Sequence, residues 1–146
     1  MVIGLGGDGR GDDAAGLEVA RRLRGSLAPS VAIVESAGDP AQLVEAWTGA
    51  RLAVVIDAVS SGAPPGTVHR RTDVEGGPSW HGSSHSFGLA DAVDLGRALG
   101  RMPAQLIVIG VEGGDFTIGA PITPPALAAI DALAQELRKR FRPEST

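Results

Sequence analysis

The chain has 146 residues, a formal net charge of −4 and no cysteine. This length predicts a single domain over residues 1–146, and the lack of cysteine excludes disulfides, thiolate metal sites and thiol nucleophiles. The acidic balance argues against binding nucleic acid through a basic surface. No apolar stretch approaches the roughly 18 residues that cross a bilayer, and the opening MVIGLGG is unlike a leader peptide. We therefore expect a soluble, cytoplasmic protein with no nucleic-acid or membrane partner.

Apolar runs alternate along the chain with segments of helical period. Runs rich in Val, Ile and Leu predict buried strands at Met1–Leu5, Val31–Val34, Leu52–Ile56 and Leu106–Val111, and a weaker edge strand at Gly66–Arg71. Helices are predicted over Ala14–Gly25, Asp39–Trp47, Leu89–Leu99 and Pro124–Phe141, with loops at Ala58–Pro65 and Thr72–Ser86. This order predicts an α/β fold, in which a mostly parallel five-stranded sheet carries helices on both faces.

The loop after the first strand has the spacing of a dinucleotide-binding fingerprint. Gly4–Gly9 (GLGGDG) matches G-x-G-x-x-G, and Glu35 stands at the end of the second strand, where such domains keep a ribose-binding acid. The fingerprint requires a helix that begins within the glycines, whereas the helical pattern here begins only at Ala14. Three loop aspartates would also repel a pyrophosphate. We therefore expect no nucleotide cofactor, although a nucleotide-binding module remains a competing class.

Three segments carry residues suited to chemistry. Asp13 ends the glycine-rich loop, Asp57 follows the third predicted strand, and His85 precedes a predicted helix. In an open parallel sheet, functional residues gather beyond the carboxyl ends of the strands. Two carboxylates and one imidazole suit a divalent metal and leave coordination positions open for water or substrate. The sequence thus predicts a metal site made of Asp13, Asp57 and His85.

Each of these residues also has a structural interpretation. Aspartate is a favoured helix N-cap, and we assign the cap of the first helix to Asp12. Asp57 can satisfy loop amides, and His85 can be a surface histidine. His69, in the edge strand beside two arginines, is interpreted as structural.

Two other catalytic arrangements are rejected. His81 and His85 are four residues apart, but the HGSSH segment lacks a glutamate and does not resemble a helix, which argues against a zinc protease of the H-E-x-x-H type. A Ser-His-Asp triad with Ser60, Ser83 or Ser84 is disfavoured because the chain has no G-x-S-x-G elbow.

The same segments resemble the hydrogenase maturation proteases. MVIGLGGDGRGDDAAGLEVARRL is similar to that family's opening, although Gly7 stands where the family has Asn. LAVVIDAVSSGAPPGTV resembles the next signature, and SSHSFGLADAVDLGRALGRMP resembles the third, a Ser-His pair opening a helix. The late strand and Ile122-Thr123-Pro124 match the usual ending. The resemblance covers nearly the whole chain, with its signatures in order.

The resemblance implies a three-layer α/β/α sandwich and an endopeptidase. Its substrate would be the precursor of a nickel-iron hydrogenase large subunit, from which it removes a C-terminal peptide after nickel insertion. Nickel would therefore arrive with the substrate, and Asp13, Asp57 and His85 would be the matching metal contacts. We expect a monomer or a weak oligomer. The alternative is a maturation chaperone that binds the metallated partner without cutting it.

Overall fold

The computed structural model describes residues 1–72 and 84–143, with only the backbone described for residues 84–87. None of the helices in this part of the chain has the length and apolar content of a membrane span. The five strands are β1 (Val2–Leu5), β2 (Ile33–Ser36), β3 (Leu52–Val59), β4 (Val68–Arg71) and β5 (Gln105–Glu112). The α-helices are α1 (Ala15–Leu23), α2 (Pro40–Trp47), α3 (Ser84–Leu99) and α4 (Pro124–Arg140), and a 3-10 helix covers Gly11–Ala14.

The strands form one sheet in the order β2-β1-β3-β5-β4. All neighbours pair in parallel except β4, which runs antiparallel beside β5 at the edge. The two faces bury separate cores because alternate residues of β3 enter each of them. Val54 and Ile56 pack with α1 and α4, whereas Ala53 and Val55 pack with α2 and α3. This arrangement confirms the predicted α/β/α sandwich with a mostly parallel sheet of five strands.

Helix α1 approaches the sheet unusually closely at Gly16. A Cβ atom at this position would lie 2.1 Å from the carbonyl oxygen of Ile56 and 2.4 Å from that of Leu5. The neighbouring strand residue is also a glycine, and a Cβ atom on Gly4 would lie 2.3 Å from the carbonyl oxygen of Gly16. Paired glycines thus allow the helix backbone to rest directly on β1 and β3.

Several element boundaries differ from the sequence prediction, most of them by one or two residues. The segment around Val31 forms a turn, with its amide donating to Ala28, so β2 begins two residues later than predicted. Strand β3 continues to Val59 because it stays in register with β5. Helix α3 begins at Ser84, five residues before its predicted apolar stripe. The additional residues of β3 therefore depend on pairing with a distant segment of the chain.

Candidate functional site

The loops that follow β1, β3 and β5 lie at one edge of the sheet. These three strands are parallel neighbours in its centre, so their carboxyl ends point the same way. The segment after Leu5 is the glycine-rich loop, which ends in the 3-10 helix. Ligand sites of open α/β sheets occur at this edge, and we call it the carboxyl edge.

Asp13 lies within the 3-10 helix, which contacts β3. The residue is only 3% exposed. The loop folds back upon it, because the amide of Gly7 donates to the Asp13 carbonyl oxygen at 3.4 Å. Gly9 and Gly11 have φ angles of 79° and 57°, a conformation that glycine adopts without strain. The glycine-rich loop therefore makes a compact turn that carries Asp13 to the carboxyl edge.

Asp57 lies inside β3, two residues before its end, rather than after the strand as predicted. It pairs in register with Gly110 of β5 and is 2% exposed. Its Oδ1 atom accepts a hydrogen bond from the amide of Ala58 at 2.8 Å. Strand alternation puts Asp57 on the same face as Ala53 and Val55, which is the face covered by α2 and α3.

His85 is the second residue of α3, not part of a loop preceding a helix as predicted. A Cβ atom on Gly88 would lie 1.9 Å from the carbonyl oxygen of Gly38, in the turn after β2. The first turns of α3 therefore rest at the carboxyl edge, over the face that carries Asp57. The side chain of His85 lies outside the described residues, as does all of His81.

The structure thus brings Asp13, Asp57 and the backbone of His85 to one edge of the sheet. Among the side chains that it describes, no group of three His, Cys, Asp or Glu residues is placed to hold a metal ion. Since the imidazole of His85 is not among them, the three-residue metal site remains a prediction. The donor set of two carboxylates and one imidazole would suit a borderline divalent ion.

Asp12 does not cap α1, which corrects the sequence prediction. Its carboxylate accepts four hydrogen bonds instead, all from the loop between β5 and α4. The donors are the amides of Gly114, Asp115 and Thr123 and the hydroxyl of Thr123, at 2.7–3.3 Å. Asp12 is fully buried. It therefore fastens the segment that carries Asp13 to the loop before α4.

The side chain of Glu35 also forms ion pairs within the protein. Arg21 of α1 binds Glu35 at 2.8 Å and makes a two-pronged ion pair with Asp8 of the glycine-rich loop, also at 2.8 Å. Arg24 contacts the other oxygen of Glu35. The hydrogen bonds from Arg21 hold the pKa values of Asp8 and Glu35 below their ordinary range. Glu35 occupies the position in which dinucleotide-binding domains keep a ribose-binding acid. In this structure its carboxylate forms ion pairs with Arg21 and Arg24 instead.

A sequence model described as "Hydrogenase maturation protease" (HycI) matches residues 17–140. The chain belongs to the hydrogenase maturation protease family. Asp57 and His85 fall inside the region that the family model matches, whereas Asp13 and the glycine-rich loop precede it.

Two hydrogenase expression/formation proteins are similar over most of the chain. The hydrogenase expression/formation protein HupD of Thiocapsa roseopersicina is 31% identical over 150 residues, covering 92% of this chain and 67% of its own length. The HupD protein of Bradyrhizobium diazoefficiens is 28% identical over 132 residues, covering 86% of this chain and 68% of its own.

Solved structures support the same architecture. The hydrogenase maturating endopeptidase HybD of E. coli superposes with a TM-score of 0.76 at 23% identity, over 93% of this chain and 87% of its own. The [NiFe] hydrogenase maturation protease HybD of Thermococcus kodakarensis gives a TM-score of 0.77 at 23% identity, over 97% of both chains. At this level of identity, the likeness establishes the fold.

This family member also has a polar cluster around the buried Glu112, at the end of β5, that sequence analysis missed. The carboxylate of Glu112, which is 1% exposed, accepts hydrogen bonds from the amide of Ser61 at 2.8 Å and from its hydroxyl. The Nε2 atom of His69 lies 3.1 Å from the same carboxylate. Because the acid sits between the serine and the histidine, this is not a serine-protease triad, in which the histidine is central. The cluster instead fastens the loop after β3.

The contribution of Glu112 to the unfolding free energy should depend on pH. Burial raises the pKa of the Glu112 carboxyl, but the hydrogen bonds from Ser61 and His69 outweigh it, so the pKa lies below its ordinary value. A lowered native pKa stabilises the fold above the unfolded-state pKa of about 4.3, and that contribution is lost as the pH falls through the native pKa. We expect Glu112→Gln to lower the unfolding free energy at pH 7 by about 1 kcal/mol. In urea titrations from pH 7 to pH 3, the difference from wild type should shrink below about pH 4.3; a constant difference would contradict the assignment.

A second stability prediction concerns Asp12. In Asp12→Asn, one oxygen becomes an NH₂ group that faces the hydrogen-bond donors of Gly114 or Thr123. A buried donor without an acceptor costs about 2 kcal/mol. Urea unfolding of the variant should show that loss, whereas Asp115→Asn, at a partly exposed position of the same loop, should cost less than about 1 kcal/mol. Equal effects would mean that Asp12 does not fasten the loop.

Proposed function

We propose that this chain is the endopeptidase that removes the C-terminal extension of a nickel-loaded hydrogenase large-subunit precursor. The observation that carries the proposal is the burial of two carboxylates, Asp13 and Asp57, at the carboxyl edge that the first turn of α3 also reaches. Buried carboxylates at a ligand edge favour a site for a cation. Membership of the maturation protease family supports the reaction class.

In this proposal, Asp13, Asp57 and His85 contact the nickel centre of the precursor. Carboxylate oxygens and a neutral imidazole are suitable ligands for nickel. The metal belongs to the substrate, so only a precursor that already contains nickel completes the site. This dependence would couple cleavage to metal insertion without any separate sensor.

Hydrolysis then requires polarisation of the scissile carbonyl group or of the water, removal of a proton from the water, and protonation of the departing amine. The nickel ion polarises the scissile carbonyl group or the attacking water. One of the two carboxylates takes the proton from the water as it adds to the carbonyl carbon. When the C–N bond breaks, this proton passes to the departing amine of the C-terminal peptide. No atom lies within 4 Å of the position of a Cβ atom on Gly9, so an extended tail would have room to lie against the loop backbone there.

The test is to measure the mass of the large subunit after incubation with this chain. We expect loss of the C-terminal peptide from nickel-loaded precursor and no change in nickel-free precursor. An intact, stable complex with the loaded precursor would indicate a maturation chaperone instead of a protease. A precursor that is neither bound nor trimmed would contradict the proposal altogether.

A further inference from the structure

The loop between β5 and α4, residues 113–123, displays an exposed isoleucine. Ile118 is 80% exposed, and among the described residues the only other exposed large hydrophobic side chain is Leu99, at 55%. Single exposed apolar residues are common on protein surfaces. Ile118 differs from such residues in its position and in the hydrogen bonds that hold its turn.

The turn around Ile118 is closed by hydrogen bonds within the loop. The amide of Ala120 donates to the carbonyl oxygen of Thr117 at 3.0 Å, which closes a turn with Ile118 at its tip. The amide of Thr117 in turn donates to the carboxylate of Asp115 at 2.9 Å. Hydrogen bonds between residues of the loop itself therefore hold the backbone of the turn that carries Ile118.

This turn is also fastened to the glycine-rich loop. The amide of Gly119 donates to the carbonyl oxygen of Gly9 at 2.7 Å, and the amide of Gly11 donates to Ala120 at 3.1 Å. Asp12 binds the same loop through its carboxylate. Ile118 thus stands next to the segment that carries Asp13, at the carboxyl edge of the sheet.

We infer that Ile118 contacts the folded part of the large-subunit precursor, packing into an apolar hollow beside the origin of its C-terminal tail. This inference rests on the proposed function, because it places the precursor at the carboxyl edge. A side chain on a closed, fastened turn loses little backbone entropy when it binds, so most of the gain from its burial is retained as affinity. Ile118 is a specificity residue in this role and takes no part in the chemistry.

Leu99 provides a matched control. It ends α3, at the opposite edge of the sheet, where the amide of Ala104 before β5 pairs with Ala50 before β3. Replacing either residue by serine removes an exposed apolar side chain without adding charge. Only Ile118→Ser alters the edge at which the precursor should bind.

The experiment measures two quantities for wild type, Ile118→Ser and Leu99→Ser. The first is the Kd for nickel-free precursor, and the second is the KM and kcat for cleavage of nickel-loaded precursor. Burial of an isoleucine side chain corresponds to an affinity difference of about 10-fold or more. We expect Ile118→Ser to raise Kd and KM by about 10-fold with kcat nearly unchanged, and Leu99→Ser to alter neither by more than about 2-fold.

The outcomes separate this inference from the proposed function. Unchanged Kd and KM in Ile118→Ser would overturn the inference, while cleavage by the wild type would leave the protease assignment standing. A raised Kd for a chain that never cleaves would support the contact and refute the protease. If Ile118→Ser abolishes self-association and leaves precursor affinity unchanged, the isoleucine contacts a second copy of the chain, and the inference is wrong.

Discussion

Replacing Asp57 by asparagine is expected to lower the rate of precursor cleavage at least about 100-fold, because a metal contact contributes several kcal/mol to the transition state. The amide keeps the volume of the carboxyl group, and its oxygen can still accept from the amide of Ala58. It lacks the negative charge that would attract a nickel ion. The loss should therefore appear in kcat/KM for nickel-loaded precursor, measured by mass spectrometry of the large subunit.

The control for this variant is Asp94→Asn, which makes the same chemical change on the exposed side of α3. It should cleave at the wild-type rate. The thermal unfolding temperature of Asp57→Asn should be measured in parallel, so that loss of activity is not confused with loss of the fold. A folded Asp57→Asn protein with full activity would remove Asp57 from the site.

The second large effect is expected at Gly16, where alanine should cost about 3 kcal/mol or more in unfolding free energy. Alanine improves helix propensity over glycine by only about 1 kcal/mol. The added Cβ would lie 2.1 Å from the carbonyl oxygen of Ile56, and backbone on both sides prevents the neighbours from yielding. The helix must therefore move away from β1 and β3, and it would displace the 3-10 helix that precedes it. Urea unfolding followed by circular dichroism measures the loss.

Gly49→Ala is the matched control for Gly16→Ala. Gly49 has a φ angle of 81° and nothing within 4 Å of the position of its Cβ atom. It carries only the penalty of a left-handed conformation, about 1–2 kcal/mol. If Gly16→Ala is no less stable than Gly49→Ala, the close approach of α1 to the sheet is not a determinant of stability.

Much of the fold follows from local sequence. Asp39 and Pro40 predict the start of α2, and in the structure Asp39 accepts a hydrogen bond from the amide of Ala41 at 3.0 Å. Buried parallel strands are also visible as apolar runs, because both of their faces are covered. Such signals depend on neighbours a few residues apart, which a sequence displays directly.

The features that sequence analysis missed depend on partners far along the chain. The sequence predicts Asp12 as a helix cap because the amide and hydroxyl groups that donate to it lie about a hundred positions later, in the loop before α4. The sequence predicts a loop at the last residues of β3 because only pairing with β5 extends the strand. Neither partner is specified by the local residues, so a single sequence cannot indicate the contact.

In the candidate site, the local sequence indicates the buried acids but not their distant partners. Asp57 is predicted as a site residue because an acid follows an apolar run at the edge where ligands bind, and the structure places it there as a buried side chain. Glu112 has the same pattern, at the end of LIVIGVE, and that signal would have located a buried acid there as well. Its partners Ser61 and His69 lie in and beyond a Ser-, Gly- and Pro-rich loop, where nothing local indicates a common contact.

The proposed metal site of Asp13, Asp57 and His85 is tested most directly by titrating Ni²⁺ and Cd²⁺ into wild type and His85→Ala, with NAD as a control ligand. If Asp13, Asp57 and His85 converge, calorimetry should give about one ion per wild-type chain, a dissociation constant at least about 10-fold higher for His85→Ala, and no heat from NAD. Ion binding that is unchanged in His85→Ala would contradict the convergence of the three residues. Binding of NAD without binding of metal would instead assign the glycine-rich loop to a nucleotide.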